Sequence, residues 1–534
     1  MPGPAESRPV VTFFFTIDQP APRATLSWRH WAIAAAFFAL ALGVFTRHDH
    51  FPSFYHPDEP SKARQLIQGE FNFNHPLLLL QTSRVVAYVT KAGDSQQAVT
   101  EAGRFSSALF ASAAIACLVL VAAHLRGSWA AVAAGLLLVT NSQLYELSHY
   151  MKEDPALAMG IAAFFLALVR CWIAPSPVRF LLLGAAAALA ISGKYIGALV
   201  LPVAILPIFV HRSRWACWLG CTLAGLALVL VAINYPMIEG FTKFANNVGE
   251  EMDYAVHGHK GLTRSVPHGV YTRVFADATN PFIWALLAIY GAGLFRIGYR
   301  WRNLHASEWA LALFPVAYML ILSFSPKTHH RYFLPDTLIF CALAALAAFH
   351  PVRDRFSRIS LIVRHVLLGG ALIWSFTMLV RVDGGFQNDS RQALIEYVKK
   401  NVPPDAIIVQ DKRVNLPSRD EKRHADSPYF VDQKILGKLF AADVGTIDEL
   451  RARGIHYVAV ANDDYNRFFL KTHTPRPEER AEYDRRKAFY KQLFAEGNLL
   501  WQCASGPQQY LQPALKFYYL PPKAEANPPA PPAP

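Results

Sequence analysis

A polytopic α-helical membrane protein, with about eleven transmembrane helices and a small extracytoplasmic α/β domain at its C-terminal end, is the fold class that three observations predict. Of 534 residues, 53 % are apolar and only 17 % charged, too hydrophobic a balance for an ordinary soluble chain. The apolar excess is gathered into blocks of about 20 residues, the length that crosses a bilayer. From about residue 384 onward the pattern changes to that of a soluble domain.

Taken in order, the blocks lie near residues 28–46, 105–123, 128–147, 156–173, 180–193, 196–211, 215–235, 281–299, 307–325, 332–349 and 362–380. The first is longer than the apolar core of a typical signal peptide. No small-x-small cleavage site precedes His48-Asp49-His50, so it is expected to remain as an anchor. Basic residues orient the rest, because cytoplasmic loops retain Lys and Arg. Arg126, the pair Arg170 and Arg179, the pair Arg212 and Arg214, then Arg296, Arg300 and Arg302, and finally Arg353, Arg355, Arg358 and Arg364 follow the even-numbered spans. Those loops face the cytoplasm, as does a tail over residues 1–27 bearing Arg8 and Arg23. An odd number of spans then exports everything after Val380.

Three pieces lie on the outer side. The first, about 47–104, mixes charges of both signs and is expected to hold short amphipathic helices at the interface. The second is a long loop over 236–280 with Glu250-Glu251, His257, His259 and Lys260. In the third, Ser390 to Asn401 reads as a helix, Ala406 to Gln410 as a strand, and Thr446 to Arg453 as a helix stopped by Gly454. His456 to Ala461 reads as another strand, Glu478 to Glu496 as a charged helix, and Leu499 to Cys503 and Leu515 to Leu520 as strands. Pro and Ala dominate 521–534, which has little to bury and is expected to be disordered. The predicted division is therefore a tail over 1–27, a membrane unit over 28–383, an outer α/β domain over 384–520 and a second tail over 521–534.

A formal charge of +13 suits anionic lipid and phosphate-bearing ligands. No basic stretch interleaved with aromatics recommends nucleic acid. Five of the six cysteines (Cys117, Cys171, Cys217, Cys221 and Cys341) fall in apolar spans, so an outer disulfide at Cys503 is not expected. No Walker loop, no GxGxxG opening a helix and no GxSxG is present, which leaves nucleotide and acyl-serine chemistry without a foothold. His329-His330 and His257-x-His259 are poorly spaced for one metal, so no cofactor is required and a divalent ion is only weakly supported. Hydrogen bonding to a phosphate or a sugar suits these histidines better.

The chemistry is expected in His56-Pro57-Asp58-Glu59-Pro60, just after the first span. Two prolines remove backbone freedom around adjacent acids, so a carboxylate is held in a fixed direction, as a general base requires. The same pair suits capping of a helix that begins at Glu59 or Pro60. Lys152-Glu153-Asp154-Pro155, at the outer turn between the third and fourth spans, repeats both options, and an unpaired Asp154 there is costly. Lys152, Lys194 and Lys327 sit in short outer turns, with Arg104 and Arg331 at the mouths of the second and tenth spans. For any one cation, snorkelling to lipid headgroups is explanation enough. For the set, the positive-inside bias should have depleted them, so something at this face is expected to need positive charge.

With those residues in view, the chain resembles the GT-C membrane glycosyltransferases, in the branch that holds protein mannosyltransferases and lipid A aminoarabinose transferases. The likeness rests on Asp58-Glu59, Pro76-Leu77, Gly103-Arg104-Phe105-Ser106-Ser107-Ala108-Leu109-Phe110, Lys152-Glu153-Asp154-Pro155, Ser192-Gly193-Lys194-Tyr195, Asn234-Tyr235-Pro236 and Arg331-Tyr332-Phe333-Leu334-Pro335, in that order. It covers nearly the whole chain. The resemblance implies transfer of a sugar from a polyprenyl-phosphate carrier to a lipid, glycan or protein outside the cytoplasm, with inversion at the anomeric carbon. It implies Asp58 as base with Glu59 in support, and Arg104 as a ligand of the carrier phosphate. Where His75 stands before the Pro element, aminoarabinose-type relatives often carry Lys.

The expected site thus has catalytic Asp58, Glu59 and Asp154. Its phosphate ligands are Arg104, Lys152, Lys194, Lys327 and Arg331, and its substrate contacts His56, His75, Glu153, His330 and Tyr332. Partners are the polyprenyl-linked sugar, the acceptor and the bilayer. The rival reading, a transporter or lipid flippase, calls for ionisable groups near mid-bilayer and an internal repeat, whereas here they gather at outer loop mouths. A scaffold that merely anchors the outer domain leaves the acidic loops idle.

Overall fold

The computed structural model describes residues 26–53, 55–257, 263–264, 280–297, 306–325, 330–349, 357–418, 429–470, 473–475, 477–506 and 511–522. Nearly all of both predicted tails lies outside the described residues, as do Lys327, His329, His259 and Lys260.

The membrane unit opens with α1 (Trp28–Phe45), followed by α2 (Glu59–Gln68) and α3 (Leu78–Val89) in the piece expected on the outer side. Then come α4 (Gln96–Arg126), α5 (Ser128–Val139), α6 (Ser142–Ser148), α7 (Asp154–Ile173), α8 (Pro177–Gly193), α9 (Leu201–Val210), α10 (Trp215–Glu239) and α11 (Phe241–His257). It closes with α12 (Pro281–Ile297), α13 (Ala306–Ser323), α14 (Leu334–Ala348) and α15 (Ser357–Gln387). A helix lies on every predicted apolar block. Among the described residues, six helical stretches are long and apolar enough to cross a bilayer, and six shorter apolar helices accompany them. The protein is a multi-pass membrane protein.

Local signals explain the boundaries. Ser95 starts α4 by accepting from the Ala98 N–H, and Gly127 ends it at a φ of 84° that a side chain would resist. The block expected over 128–147 is two helices, because Asn141 accepts from the Leu144 N–H and begins a new one. The long loop expected over 236–280 is also corrected. Helix α10 runs on to Glu239 across a kink at Asn234, and α11 follows it at once. Phe241, Phe244, Val248 and Met252 give α11 an apolar stripe at helical spacing that its acidic residues disguise.

Helix α4 occupies the centre, packed by α1, α3, α5 and α7, while α7 leans on α8 and α8 on α10. The last of these contacts depends on two glycines. A Cβ on Gly184 would stand 1.8 Å from the Thr222 carbonyl oxygen, and one on Gly225 would stand 2.0 Å from that of Leu181. Backbones approach this closely only where small residues face each other. Gly225→Val is expected to lower the thermal midpoint of the detergent-solubilised protein, at a cost of about 1–3 kcal/mol or more. Gly220→Val on the same helix, where a Cβ meets nothing within 4 Å, should leave the midpoint unchanged.

The C-terminal domain, expected on the outer side, begins at α16 (Ser390–Asn401) and includes α17 (Ile447–Ala452), α18 (Asn462–Tyr465) and α19 (Arg480–Glu496). A short antiparallel pair, β1 (Thr263–Arg264) with β5 (His473–Thr474), ties the segment after α11 to it. Its sheet comprises β2 (Ile407–Gln410), β3 (Lys434–Gly437), β4 (Tyr457–Ala461), β6 (Asn498–Cys503) and β7 (Leu515–Tyr519), in the order β3-β2-β4-β7-β6. The first three are parallel, and β7 runs antiparallel to β4 and β6. Alternation along the strands sends Ile408, Ala459 and Phe517 to the α16 face, and Val409, Val458 and Tyr518 to the face covered by α17 and α19. The sequence reading missed β3, whose four residues carry too few apolar positions to register a pattern.

Asp411, at the carboxyl end of β2, is fully buried and accepts from Ala441 N–H (2.7 Å), Ala461 N–H (3.0 Å) and the Tyr490 hydroxyl (2.6 Å). Burial, with Asp464 nearby, pushes its carboxyl up to about 8. The unfolded chain releases this proton near pH 4, so the folded domain retains a proton that the unfolded one has given up. The stability it contributes is complete below about pH 4 and is lost as pH rises through 8. Hydrogen-exchange protection of β2 and β4 is expected to fall between pH 5 and 8, and Asp464→Asn should flatten that fall.

Candidate active site at one mouth of the bundle

The ordered motifs prove to be parts that touch one another. A Cβ on Gly103 would collide with the Met151 side chain, so this glycine lets the 150–154 turn lie against α4. Ser107 holds that turn through the Lys152 N–H and carbonyl, both at 3.2 Å. Gly193 makes similar room for the Leu157 backbone. Asn234, at the kink of α10, donates to Ser192 Oγ (2.8 Å) and accepts from the Leu77 N–H (3.0 Å), which links three motifs in one step.

On this frame the charges converge. Asp58 pairs with Lys152, 94 residues away. Glu153 pairs with Lys62 at 2.7 Å and lies 3.6 Å from Lys152. Asp154 pairs with Lys194 at 2.8 Å. Arg331 stands 3.2 Å from His56 Nε2, and Tyr332 presents its ring to Lys194 at 4.1 Å and to Arg331 at 5.4 Å. His75 lies within electrostatic reach of Glu153, Lys152, Lys62 and Lys194. His330 enters through its carbonyl, which accepts from Gln143. Residues from four separate stretches of chain therefore form one cluster.

The helix-capping alternative is not what the acids do. Asp58 stands at the N-cap of α2 and Glu153 at that of α7, yet neither side chain bonds to its helix end. Both carboxylates turn to lysines instead. Of the four acids, Asp58 alone is open, with its side chain 43 % exposed, whereas Glu59, Glu153 and Asp154 are buried.

Arg104 is placed otherwise than the resemblance implies. All five of its N–H groups are committed: Nε to Glu59 Oε1 (2.9 Å), Nη1 to the carbonyls of Asp49 (2.8 Å) and Phe51 (2.6 Å), and Nη2 to the Pro52 carbonyl (3.0 Å) and Glu59 Oε2 (2.8 Å). A guanidinium so buried has no donor left for a phosphate. Arg104 instead clamps the loop that carries Asp58. Glu59, which also accepts from the Met151 N–H (2.9 Å), is the other half of the clamp.

Electrostatics follow from the packing. Burial works to raise the Asp58 carboxyl, but Lys152, then His56, Lys62 and Arg331, hold it well below the usual carboxylate range. Burial and Lys152 keep His56 neutral. Burial also pushes His75 down to about 4 and the Lys62 ammonium down to about 8, the latter against the pull of Glu153. Lys62 was not singled out from the sequence. Its signal is its place one helical turn after Asp58, on the same face of α2. Among the described residues no three His, Cys, Asp or Glu side chains group as a metal site.

Residues 74–237 match the family described as Dolichyl-phosphate-mannose-protein mannosyltransferase. No curated protein sequence matches the chain. Among solved structures, the chain is similar to ArnT from Cupriavidus metallidurans bound to undecaprenyl phosphate, with 14 % identity over 92 % of this chain and 98 % of that one, at a TM-score of 0.50. The apo state of the same protein matches at 14 % identity over 91 % and 98 %, with a TM-score of 0.48. The S. cerevisiae Pmt1-Pmt2 complex bound to its sugar donor matches at 16 % identity over 43 % of this chain and 35 % of that one, with a TM-score of 0.33. The first match establishes a common fold, and the resemblance drawn from the motifs holds at that level.

Proposed function

We propose that this chain, a GT-C membrane glycosyltransferase by its fold and its family segment, moves a sugar from a polyprenyl-phosphate donor to a hydroxyl on an acceptor outside the cytoplasm. The observation that carries the reading is Asp58: the one open carboxylate of its cluster, ringed by cations at the outer mouth of the bundle.

Lys152 occupies Asp58 Oδ2, which leaves Oδ1 to take a proton. Asp58 accepts the acceptor hydroxyl's proton as that oxygen bonds to the anomeric carbon. The carbon–oxygen bond to phosphate breaks, its electron pair stays on the phosphate, and the sugar arrives inverted because base and leaving group lie on opposite sides. Lys194 and Arg331, flanking Tyr332, offset the charge on the departing polyprenyl phosphate. No cofactor is invoked.

An unloaded Asp58 is a weak base, since the cations around it favour its ionised form. An arriving phosphate draws on the same cations, so the proton affinity of Asp58 rises when the donor is in place. The acid limb of kcat is therefore expected at higher pH than that of kcat/KM, the first reporting the loaded enzyme and the second the free one.

The test uses vesicles holding the purified protein, undecaprenyl phosphate carrying tritiated mannose, glucose or 4-amino-4-deoxyarabinose, and envelope extract as acceptor. One of the three sugars should pass to an extract component and depend on Asp58. Label that crosses the bilayer still attached to its carrier would instead favour the flippase.

A further inference from the structure

The loop that ends in Asp58 is held from two sides. Arg104 grips it from within the bundle, its guanidinium 3.5 Å from the Phe51 ring centre. The second grip comes from the outer domain. Arg391, in the first turn of α16, donates from Nη1 to the Tyr55 carbonyl at 2.8 Å and lies 3.9 Å above the Tyr55 ring. Its own direction is fixed by Asp389, which accepts from Nε at 2.7 Å and Nη2 at 2.8 Å. Asp389 is anchored in turn by the Gln512 N–H at 2.9 Å. Both side chains are buried. A bidentate pair of this kind has little freedom, so the third contact is held in direction as well as in distance.

Tyr55 stands three residues before Asp58, with Pro57 stiffening the path between them. Tyr55 also stacks on Phe51 at 5.1 Å, and Phe51 meets Phe386 at the end of α15 at 5.0 Å. The loop is thus wedged between the bundle and the outer domain, and a polar link across the junction ends on the segment that aims the carboxylate. A partner for Arg391 at the domain edge would have sufficed for docking alone. The bond runs instead to a backbone carbonyl of the base-bearing loop.

We propose that Arg391 is a positioning residue for the proton acceptor: docking of the outer domain, through Arg391 on Tyr55, sets the loop so that Asp58 meets both Lys152 and the acceptor. This rests on the reading of Asp58 as base. The outer domain then completes the site as well as standing beside it, and a displaced domain leaves the base misaimed. Misplacement of a reacting group by about 1 Å costs on the order of 10²-fold in rate.

The experiment compares the full-length protein with Asp389→Asn/Arg391→Gln, which removes the grip without stranding a buried charge, and with Arg391→Lys, which keeps the charge but not the fork. The assay uses whichever of the three undecaprenyl-phosphate sugars supports transfer. In the double variant kcat is expected to fall about 10- to 100-fold with donor KM within about twofold, and Arg391→Lys should lie between. The amides of Tyr55, His56, Asp58 and Glu59 should exchange faster while β2 and β4 stay protected. The groups facing Asp58 are Lys152, His56, Lys62 and Arg331. A loop released from them lets the carboxyl rise, so the acid limb of kcat/KM should move to higher pH.

An unchanged kcat in the double variant overturns the proposal. So does a loss that merely follows the amount of folded protein with the pH profile unmoved. Activity surviving in Asp58→Asn is a separate failure, of the base assignment itself, and is read from its own variant.

Discussion

Asp58→Asn is expected to lower sugar transfer by about 10²–10⁴-fold, the usual contribution of a positioned general base, while the protein remains inserted and folded. The amide keeps the size of the side chain and an oxygen facing Lys152, so the bundle has little reason to shift. It lacks only the ability to take a proton. Initial rates in the vesicle assay, beside the thermal midpoint of the same preparation, separate chemistry from stability. Donor KM should not rise, because the groups assigned to phosphate are Lys194 and Arg331 rather than Asp58, and loss of a carboxylate that competes for Arg331 favours the anion. A variant that transfers sugar at the wild-type rate would leave the cluster without a base and return the choice to Asp154 or Glu153, both of which are buried.

Arg104→Met is expected to act on folding. Its removal strands the Glu59 carboxylate, fully buried, with the Met151 N–H as a remaining partner, and takes one donor each from the carbonyls of Asp49, Phe51 and Pro52, which keep the Phe51 N–H, Gln97 Nε2 and the Tyr55 N–H. Breaking one side of a buried ion pair costs about 3–5 kcal/mol. The yield of monodisperse protein and its thermal midpoint should both drop. Glu59→Gln/Arg104→Met, which removes the stranded charge and keeps an acceptor for Met151, should recover part of the loss. If Arg104→Met instead folds normally and loses only donor affinity, the guanidinium serves the phosphate as the resemblance implied, and the clamp is secondary.

The two variants mark how far the sequence could be read. Asp58, Lys152, Asp154, Lys194 and Arg331 were legible because each is an ionisable group beside an apolar span, where chance seldom leaves one. The helices were legible from block length, and most of the C-terminal domain from periodicity and stop signals such as Gly454. Helix α11 was not, since its apolar stripe is interrupted by acids. Lys62 was not, since a lysine on a short polar helix looks like any surface lysine until Glu153 is found beside it. Arg391 was equally silent, because nothing near it in the chain hints at Tyr55, 336 residues away.

The sequence by itself determined the membrane-spanning class, most elements of the C-terminal α/β region and the stretches that hold the charges, because these depend on composition and local spacing. The tertiary structure decided which charge meets which: Asp58 with Lys152, Asp154 with Lys194, and Arg104 with Glu59. Whether a charged side chain is available to a substrate is settled by burial and by partners far away along the chain. Local sequence cannot encode either one, since the same arginine at the mouth of a span is a phosphate ligand when its donors are open and a clamp when the fold has used all five.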